Sequence, residues 1–229
     1  MRVGLIAEGR GDLAVLTNVL KGWLNLELED VQYLRPEYSL DETDLHDMSE
    51  EKFSNWSLVK RECIERARIK EFLESPIDEE RFVIVQIDTA EMELVGYDLK
   101  RPTDLTGEAH IAAIRALVID KINGWLEGNF RGAIHYAVTI EETDAWILTL
   151  FATRDTCTHR DAKKHLDRAL NKPNAFSDKE RKRLFQMKTF ERYHKLSKSL
   201  RDKTTLIDCA RRNHSLRLFL DELESAQTS

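Results

Sequence analysis

Cysteine is scarce in this 229-residue chain, and the three present, Cys63, Cys157 and Cys209, are far apart and odd in number. No CxxC pair and no Cys/His zinc spacing occurs, so a disulfide framework and a small zinc module are excluded, and reduced, buried thiols are expected. Long apolar runs are missing too. None approaches the roughly 18 residues of a membrane span, and the short run before Glu8, behind one arginine, is not a signal peptide. The expectation is a cytoplasmic protein with no membrane association. Positive charge is in deficit, with 35 Lys and Arg against 41 Asp and Glu, a formal net charge of -6. A protein that grips nucleic acid by bulk charge is basic, which leaves only a local basic patch or a bound cation for that role. Repeats and low-complexity segments are absent. So are GxxxxGK[ST], GxGxxG, GxSxG and HExxH.

What is present is an alternation of short apolar runs and amphipathic segments. Val3 to Ala7 is almost unbroken and apolar and is followed by a glycine turn, which predicts a buried strand. Leu13, Leu16, Leu20 and Leu24 then recur at helical spacing, widened by Val15, Val19 and Trp23. Val31 to Leu34 predicts a short second strand, and residues 36–50 a polar loop. The spacing of Phe53, Trp56, Cys63, Ala67 and Phe72 predicts one helix over about 50–74, ended by Ser75-Pro76. Phe82 to Ile87 is the next strand. Residues 89–105 predict a long loop, a kind that is often functional. Thr106 is placed to cap a helix that carries Ile111, Ile114, Leu117, Ile122 and Trp125 and stops near Gly128. Ala133 to Ile140 is the last strand. From about residue 158 the signals are helical, and the final helix, after Ser215, buries Leu216, Phe219, Leu220 and Leu223. The pattern predicts an α/β fold, a mostly parallel sheet flanked by helices, with a helical C-terminal extension. The expected division is 1–155 for the α/β part and 156–229 for the helical extension packed on it.

Three apolar runs end in acids. Glu8 follows the first, Asp88 stands at the end of the third, and Glu141 follows the last; Asp12 and Asp144 come one turn later. Sites in open α/β sheets form outside the carboxyl ends of the strands. If these strands are neighbours, the acids converge, and close carboxylates need a cation or protons. A hard divalent cation with oxygen ligands, Mg²⁺ or Mn²⁺, is the natural resolution. "EGRGD" is then an acidic turn: a metal stands between carboxylates and phosphate, the glycines let the backbone come close, and Arg10 reaches a phosphate oxygen. The bland alternatives are that Asp12 only caps the following helix and that Asp144 only complements a helix dipole. His110 and His135 read as structural residues. His159, His165, His194 and His214 fall in the basic last third and form no HExxH pair. The density of Lys and Arg there is often just a solvated face, but on an acidic chain it is an asymmetry that suits a polyanion.

In order and setting these motifs resemble the Toprim-like proteins, in particular the small stand-alone group related to the nuclease domain of OLD-family (overcoming lysogenization defect) proteins. "IAEGRGD" is similar to the family's strand–EGxx[ED]–helix opening. "FVIVQIDTAE" resembles its strand ending in Asp-x-Asp. "YAVTIEETDAWIL" resembles its later strand and acidic lead into an apolar helix. "FERYHKLSKSL" and "NHSLRLFLDEL" are similar to its C-terminal Tyr-x-Lys and Ser-Phe-x-x-Phe segments. The resemblance implies a Toprim fold and metal-dependent phosphodiester chemistry on nucleic acid, either DNA or RNA, tRNA included. It implies Glu8 as acid/base or metal residue, Asp12, Asp88, Glu141 and Asp144 as the remaining metal-site acids, and Lys195 as a charge stabiliser for a transferring phosphate. Ala90 stands where the family has the second Asp, so Glu91 or Glu93 must replace it. Many relatives work beside an ATPase in bacterial or phage defence. This chain has no ATP-binding motif, so that coupling calls for a partner protein. A homo-oligomer is compatible with the sequence.

Overall fold

Val3 and Leu5 leave the first strand on one side and Ile6 on the other, and all three are fully buried. A strand apolar on both faces belongs inside a parallel sheet covered on both sides. The computed structural model, which describes residues 1–36, 56–76, 79–157, 159–172 and 175–227, has that arrangement. Strand β1 (Arg2–Ile6) lies between β2 (Val31–Arg35) and β3 (Arg81–Asp88), and β4 (Ile134–Thr139) pairs with the far side of β3. All three pairings are parallel. The predicted strands are all present, with ends displaced by a residue or so.

The helices fall on two faces. Helix α1 (Arg10–Leu24) packs with Val3, Leu5, Phe82, Ile84 and Ala137 on one side of the sheet. Helices α2 (Trp56–Glu65), α3 (Ala67–Leu73) and α4 (Gly107–Trp125) pack with Ile6, Val83, Val85, Ile87 and Val138 on the other. Right-handed crossovers require this split. The chain leaves β1 in one direction to reach β2, then returns past β1 to β3 and continues to β4. The order therefore reverses between β1 and β3. That is a topological switch point, where the carboxyl ends of neighbouring strands open a crevice.

One predicted helix is two. The stretch assigned to 50–74 breaks at Arg66, whose φ of 59° is left-handed. The Arg66 guanidinium meets the Leu126 carbonyl at 3.3 Å and the Glu127 carboxylate at 2.6 Å, which holds the break in place. The buried stripe changes phase there: Trp56, Val59 and Cys63 precede it, Ile69 and Phe72 follow it, and Ala67 is exposed. Phe53, with the rest of 37–55, lies outside the described residues, as does the predicted loop beyond Pro36. Thr106 does stand at the N-cap of α4, though its side chain makes no cap hydrogen bond.

Helix α5 (Asp144–Leu148) follows β4 closely. It leads to α6 (Ala162–Leu170), α7 (Asp178–Gln186), α8 (Thr189–Leu196), α9 (Lys203–Ala210) and α10 (His214–Gln227). Their apolar residues, among them Leu166, Leu184, Leu196, Leu206 and Phe219, share one core with α1 and that face of the sheet. Trp146 of α5 is fully buried, stacks on Phe219 at 5.6 Å and donates its indole N–H to Ser215 Oγ at 2.9 Å. Asn18, also fully buried, donates to the His194 carbonyl and to Ser197 Oγ and accepts from Arg201 Nε, which fixes α8 and the turn after it on α1. The three cysteines are free and buried. No described helix is long and apolar enough to cross a membrane.

Glu222 pins α10 to the sheet. It accepts from the Tyr136 N–H at 3.1 Å, faces His135 Nδ1 at 3.2 Å and pairs with Arg115 of α4. His135 also packs edge-on against Phe82, at 5.0 Å between ring centroids, so its position in the fold is explained by packing and this one bond. Glu222→Ala leaves the Tyr136 N–H and the Arg115 guanidinium short of an acceptor and should cost on the order of 1–3 kcal/mol. Urea unfolding with an unchanged slope and an earlier midpoint is the expected result; an unchanged midpoint would show the network to be idle.

Candidate functional site

The switch point brings Glu8 against Asp88. β1 ends two residues before Glu8, and Glu8 Oε1 accepts the Asp88 backbone N–H at 2.7 Å. Gln86 ties the two strands together from the same face of β3 as Asp88. Its Oε1 accepts the Glu8 N–H at 3.0 Å, and its Nε2 donates to Asp88 Oδ1 at 2.7 Å. Alternation explains this: residues two apart on a strand share a face. Asp88 Oδ1 also receives the hydroxyls of Thr139 and Thr143. Three donors thus converge on one oxygen, leaving Oδ2 outside the fan.

Asp12 and Asp144 complete the group. Asp12 does not cap α1; Gly9 is the N-cap, in extended conformation, and Asp12 sits in the first turn. From there its carboxylate lies close enough to the Thr143 hydroxyl and the Gly9 backbone for both to favour its ionised form. Asp144 opens α5 and is 8% exposed. Its Oδ1 accepts the Tyr193 hydroxyl of α8 at 2.9 Å.

These carboxyls hold protons more tightly than ordinary ones. Burial pushes Glu8 up to about 8, and the charges of Asp12 and Glu91 add to it, while the N–H groups of Asp88 and Trp56 pull the other way. Burial raises Asp12 to about 6, against the Thr143 hydrogen bond and with the help of Asp144. Asp144 also rises to about 6, chiefly by burial, with the Tyr193 hydroxyl opposing. Asp88 is raised well above the usual range by burial and by Asp12 and Glu8. Like charges crowded in a poorly hydrated site cannot all ionise without a counterion.

Other expected members stand elsewhere. Glu141 follows β4 in the left-handed region, at φ 61°. Its carboxylate is clasped by Arg101, at 2.7 and 3.3 Å, and its carbonyl accepts the Thr89 and Ala90 N–H groups. A charge already neutralised by a two-pronged guanidinium is a poor additional ligand. Glu91 is exposed but near enough to raise Glu8, whereas Glu93 accepts the Arg101 N–H. Arg10 is the half-buried first residue of α1, and its side chain makes no hydrogen bond or ion pair with another described residue. Lys195 is exposed and lies by Glu180. Its neighbour in the Tyr-x-Lys match, Tyr193, is the residue that reaches the acids. Gly11 is not open to a ligand: a Cβ there would lie 3.2 Å from the Tyr193 ring, so this glycine lets α8 close on α1.

No protein-family model, curated protein or solved structure matches the chain.

Sequence reasoning missed Gln86, Thr139, Thr143, Arg101 and the Tyr193 hydroxyl. Two of these left a trace. Gln86 interrupts the apolar run "FVIVQID" two residues before Asp88, and Thr139 stands two residues before Glu141. Arg101 is distant in sequence from Glu141 and left none, and Tyr193, distant from Asp144, was marked only by the Tyr-x-Lys resemblance, which pointed to Lys195 and not to this hydroxyl.

The donor set is all oxygen, which suits Mg²⁺ or Mn²⁺ and not zinc or copper. Among the described residues, no three His, Cys, Asp or Glu side chains are disposed to close on a metal ion. The four acids instead spend oxygens on protein donors and retain protons. The oxygen donors of Glu8, Asp12, Asp88 and Asp144 suit such a cation in type, on condition that protons leave and the side chains turn toward a common point.

Proposed function

We propose that the chain is a Mg²⁺- or Mn²⁺-dependent phosphodiesterase acting on nucleic acid, a Toprim-type nuclease in its chemistry. The observation that carries this reading is the convergence of Glu8, Asp12, Asp88 and Asp144 at the switch point with no cationic side chain bonded to any of them among the described residues. Asp12, Asp88 and Asp144 would hold the ion, with Glu91 as the nearest candidate to replace the carboxylate that Ala90 lacks. When bound, such an ion polarises a phosphoryl oxygen and lowers the pKa of its water. Glu8, pushed up to about 8, carries a proton at neutral pH and is suited to give it to a departing oxygen. Arg10, at the start of α1, would meet a phosphate oxygen, as the helix terminus would. Lys195, exposed beside Glu180, would serve only a phosphate that extends along α8. The likeness to OLD-family relatives adds the setting: a cytoplasmic component of a bacterial or phage defence system.

The test is cleavage of plasmid DNA and of tRNA in manganese. Glu8→Ala and Asp88→Ala should each lower the rate by about 10²-fold or more while keeping the wild-type circular dichroism. Cutting by both variants at the wild-type rate would end the proposal. Two observations favour a second reading, a catalytically weakened binding or regulatory subunit of an ATPase-containing complex. Ala90 is exposed where a ligand is expected, and Glu141 is held by Arg101. Calorimetry separates the two. No heat with Mg²⁺ or Mn²⁺, together with no cleavage, supports the subunit.

A further inference from the structure

The charge of this chain is segregated. Residues 160–201 contain 14 Lys and Arg against 5 Asp and Glu, a balance of +9, so the remainder of a chain with net charge -6 carries -15. The fold gathers that positive segment into one surface. Helices α6, α7 and α8 meet at Arg192, which bonds Asp167 of α6 at 3.2 Å and lies 4.5 Å over the Phe185 ring of α7. Most acids on these helices are used internally: Asp161 pairs with Lys164, Asp178 with Arg181, Asp167 with Arg192, and Glu180 closes the capping box of Ser177. Arg168, Lys179, Lys182 and Arg183 are exposed and make no ion pair with a described residue. The surface begins at the acids: the Lys163 N–H, in the first turn of α6, donates to Glu142, and its side-chain charge acts on Asp144.

We infer that the exposed face of α6–α8 is the track on which a nucleic-acid backbone lies, leading it to the acidic cluster. The inference rests on the proposed function for its choice of partner but not on catalysis. A lipid surface is disfavoured because an interfacial helix needs an apolar face, and Phe185 is the one exposed large hydrophobic on these helices among the described residues. Phe185 instead offers a ring for base stacking beside cations, the combination used for single strands. The acidic remainder of the protein repels a polyanion from the other faces and so confines it to this one.

The experiment is fluorescence anisotropy with a labelled single-stranded DNA of about 20 nucleotides and the matching RNA, in EDTA, over a range of salt. Wild type should bind with a steep salt dependence. Neutralising Arg168, Lys179, Lys182 and Arg183 together to Gln should lower the log–log salt slope by about 3, as four lost phosphate contacts on a single strand require, and weaken binding at least tenfold. Neutralising four exposed cations elsewhere, Arg61, Lys70, Arg131 and Arg211, should change the slope by less than about 1. Circular dichroism of both quadruple variants controls for folding. The track is overturned if wild type binds neither probe at low salt, if both variants lose equally, or if polyglutamate competes as well as DNA per unit charge. No divalent ion is present and no cleavage is read, so failure here leaves the acidic cluster to its own assay, and inactivity there leaves this binding result standing.

Discussion

In EDTA the wild-type protein should lose stability as the pH rises from about 6.5 to about 8.5, and Glu8→Gln should make that loss clearly shallower. An unfolded chain releases a glutamate proton near the ordinary value of 4.5, but the folded protein holds the Glu8 proton to about 8. Between those values the folded state binds more protons, so stability is full below the ordinary value and falls as the pH climbs through the folded one. Asp12 and Asp144, raised to about 6, contribute in the lower part of the same window. The histidines and the exposed acids act at lower pH. His194 and His214 are held below the ordinary imidazole value by burial, so their opposing contribution ends by about pH 6.5. Glu108, Glu180 and Asp202, held low by hydrogen bonds, titrate lower still. Above pH 6.5 the slope therefore belongs to Glu8 together with Asp88, which burial and the charges of Asp12 and Glu8 also hold well above the usual range. A change of 1 kcal/mol moves Tm by about 2–4 °C at this chain length, and several degrees should separate wild type from Glu8→Gln at pH 8.5. Millimolar Mn²⁺ should raise the wild-type Tm there by supplying the missing positive charge, and should raise that of the variant as well, whose Asp12, Asp88 and Asp144 are intact. A Tm that is flat or rising in EDTA would show that the cluster is better hydrated than its burial implies.

The α/β alternation was legible because apolar runs of strand length end at turns, and a parallel sheet follows from the helices between them. The meeting of Glu8 with Asp88 was legible only as a condition, since periodicity identifies a strand and says nothing of its neighbours. Strand order supplied the condition: β1 and β3 are adjacent and their connections diverge. Glu141 shows the limit of reading acids at strand ends. It occupies the expected position, but a left-handed backbone and an arginine 40 residues earlier take its carboxylate away. Asp144, three residues on, is brought in by Tyr193 from a helix whose periodicity marks a buried face and not a hydroxyl at the acids. The break at Arg66 had no glycine or proline to announce it; a tertiary contact with the end of α4 makes it.

Gly22→Ala should be among the most damaging substitutions outside the acids. A Cβ on Gly22 would stand 2.1 Å from the Leu200 carbonyl oxygen and 3.1 Å from two backbone atoms of Arg201. Backbone cannot rotate aside as a side chain can, so α1 must move from the turn at Lys198–Arg201. That turn is not free to follow: Arg201 Nε holds Asn18 at 2.6 Å, and Asn18 Nδ2 holds Ser197 Oγ at 2.7 Å, with Asn18 and Ser197 fully buried. Strain of this kind costs about 1–3 kcal/mol and occasionally more, here with loss of the Asn18 bonds added, so Tm should fall by roughly 6–12 °C. Gly124→Ala is the matched control: it lies in α4 with nothing within 4 Å of a new Cβ and should gain about 0.5–1 kcal/mol. The damage should also reach the site. The turn continues directly from α8, whose Tyr193 bonds Asp144 and covers Gly11, so a shift of α8 loosens one acid of the cluster and the wall beside it. Gly22→Ala, assayed well below its own Tm, should therefore bind Mn²⁺ more weakly than wild type, whereas Gly124→Ala should bind it equally. Equal binding by both would separate the packing of α8 from the chemistry of the acids.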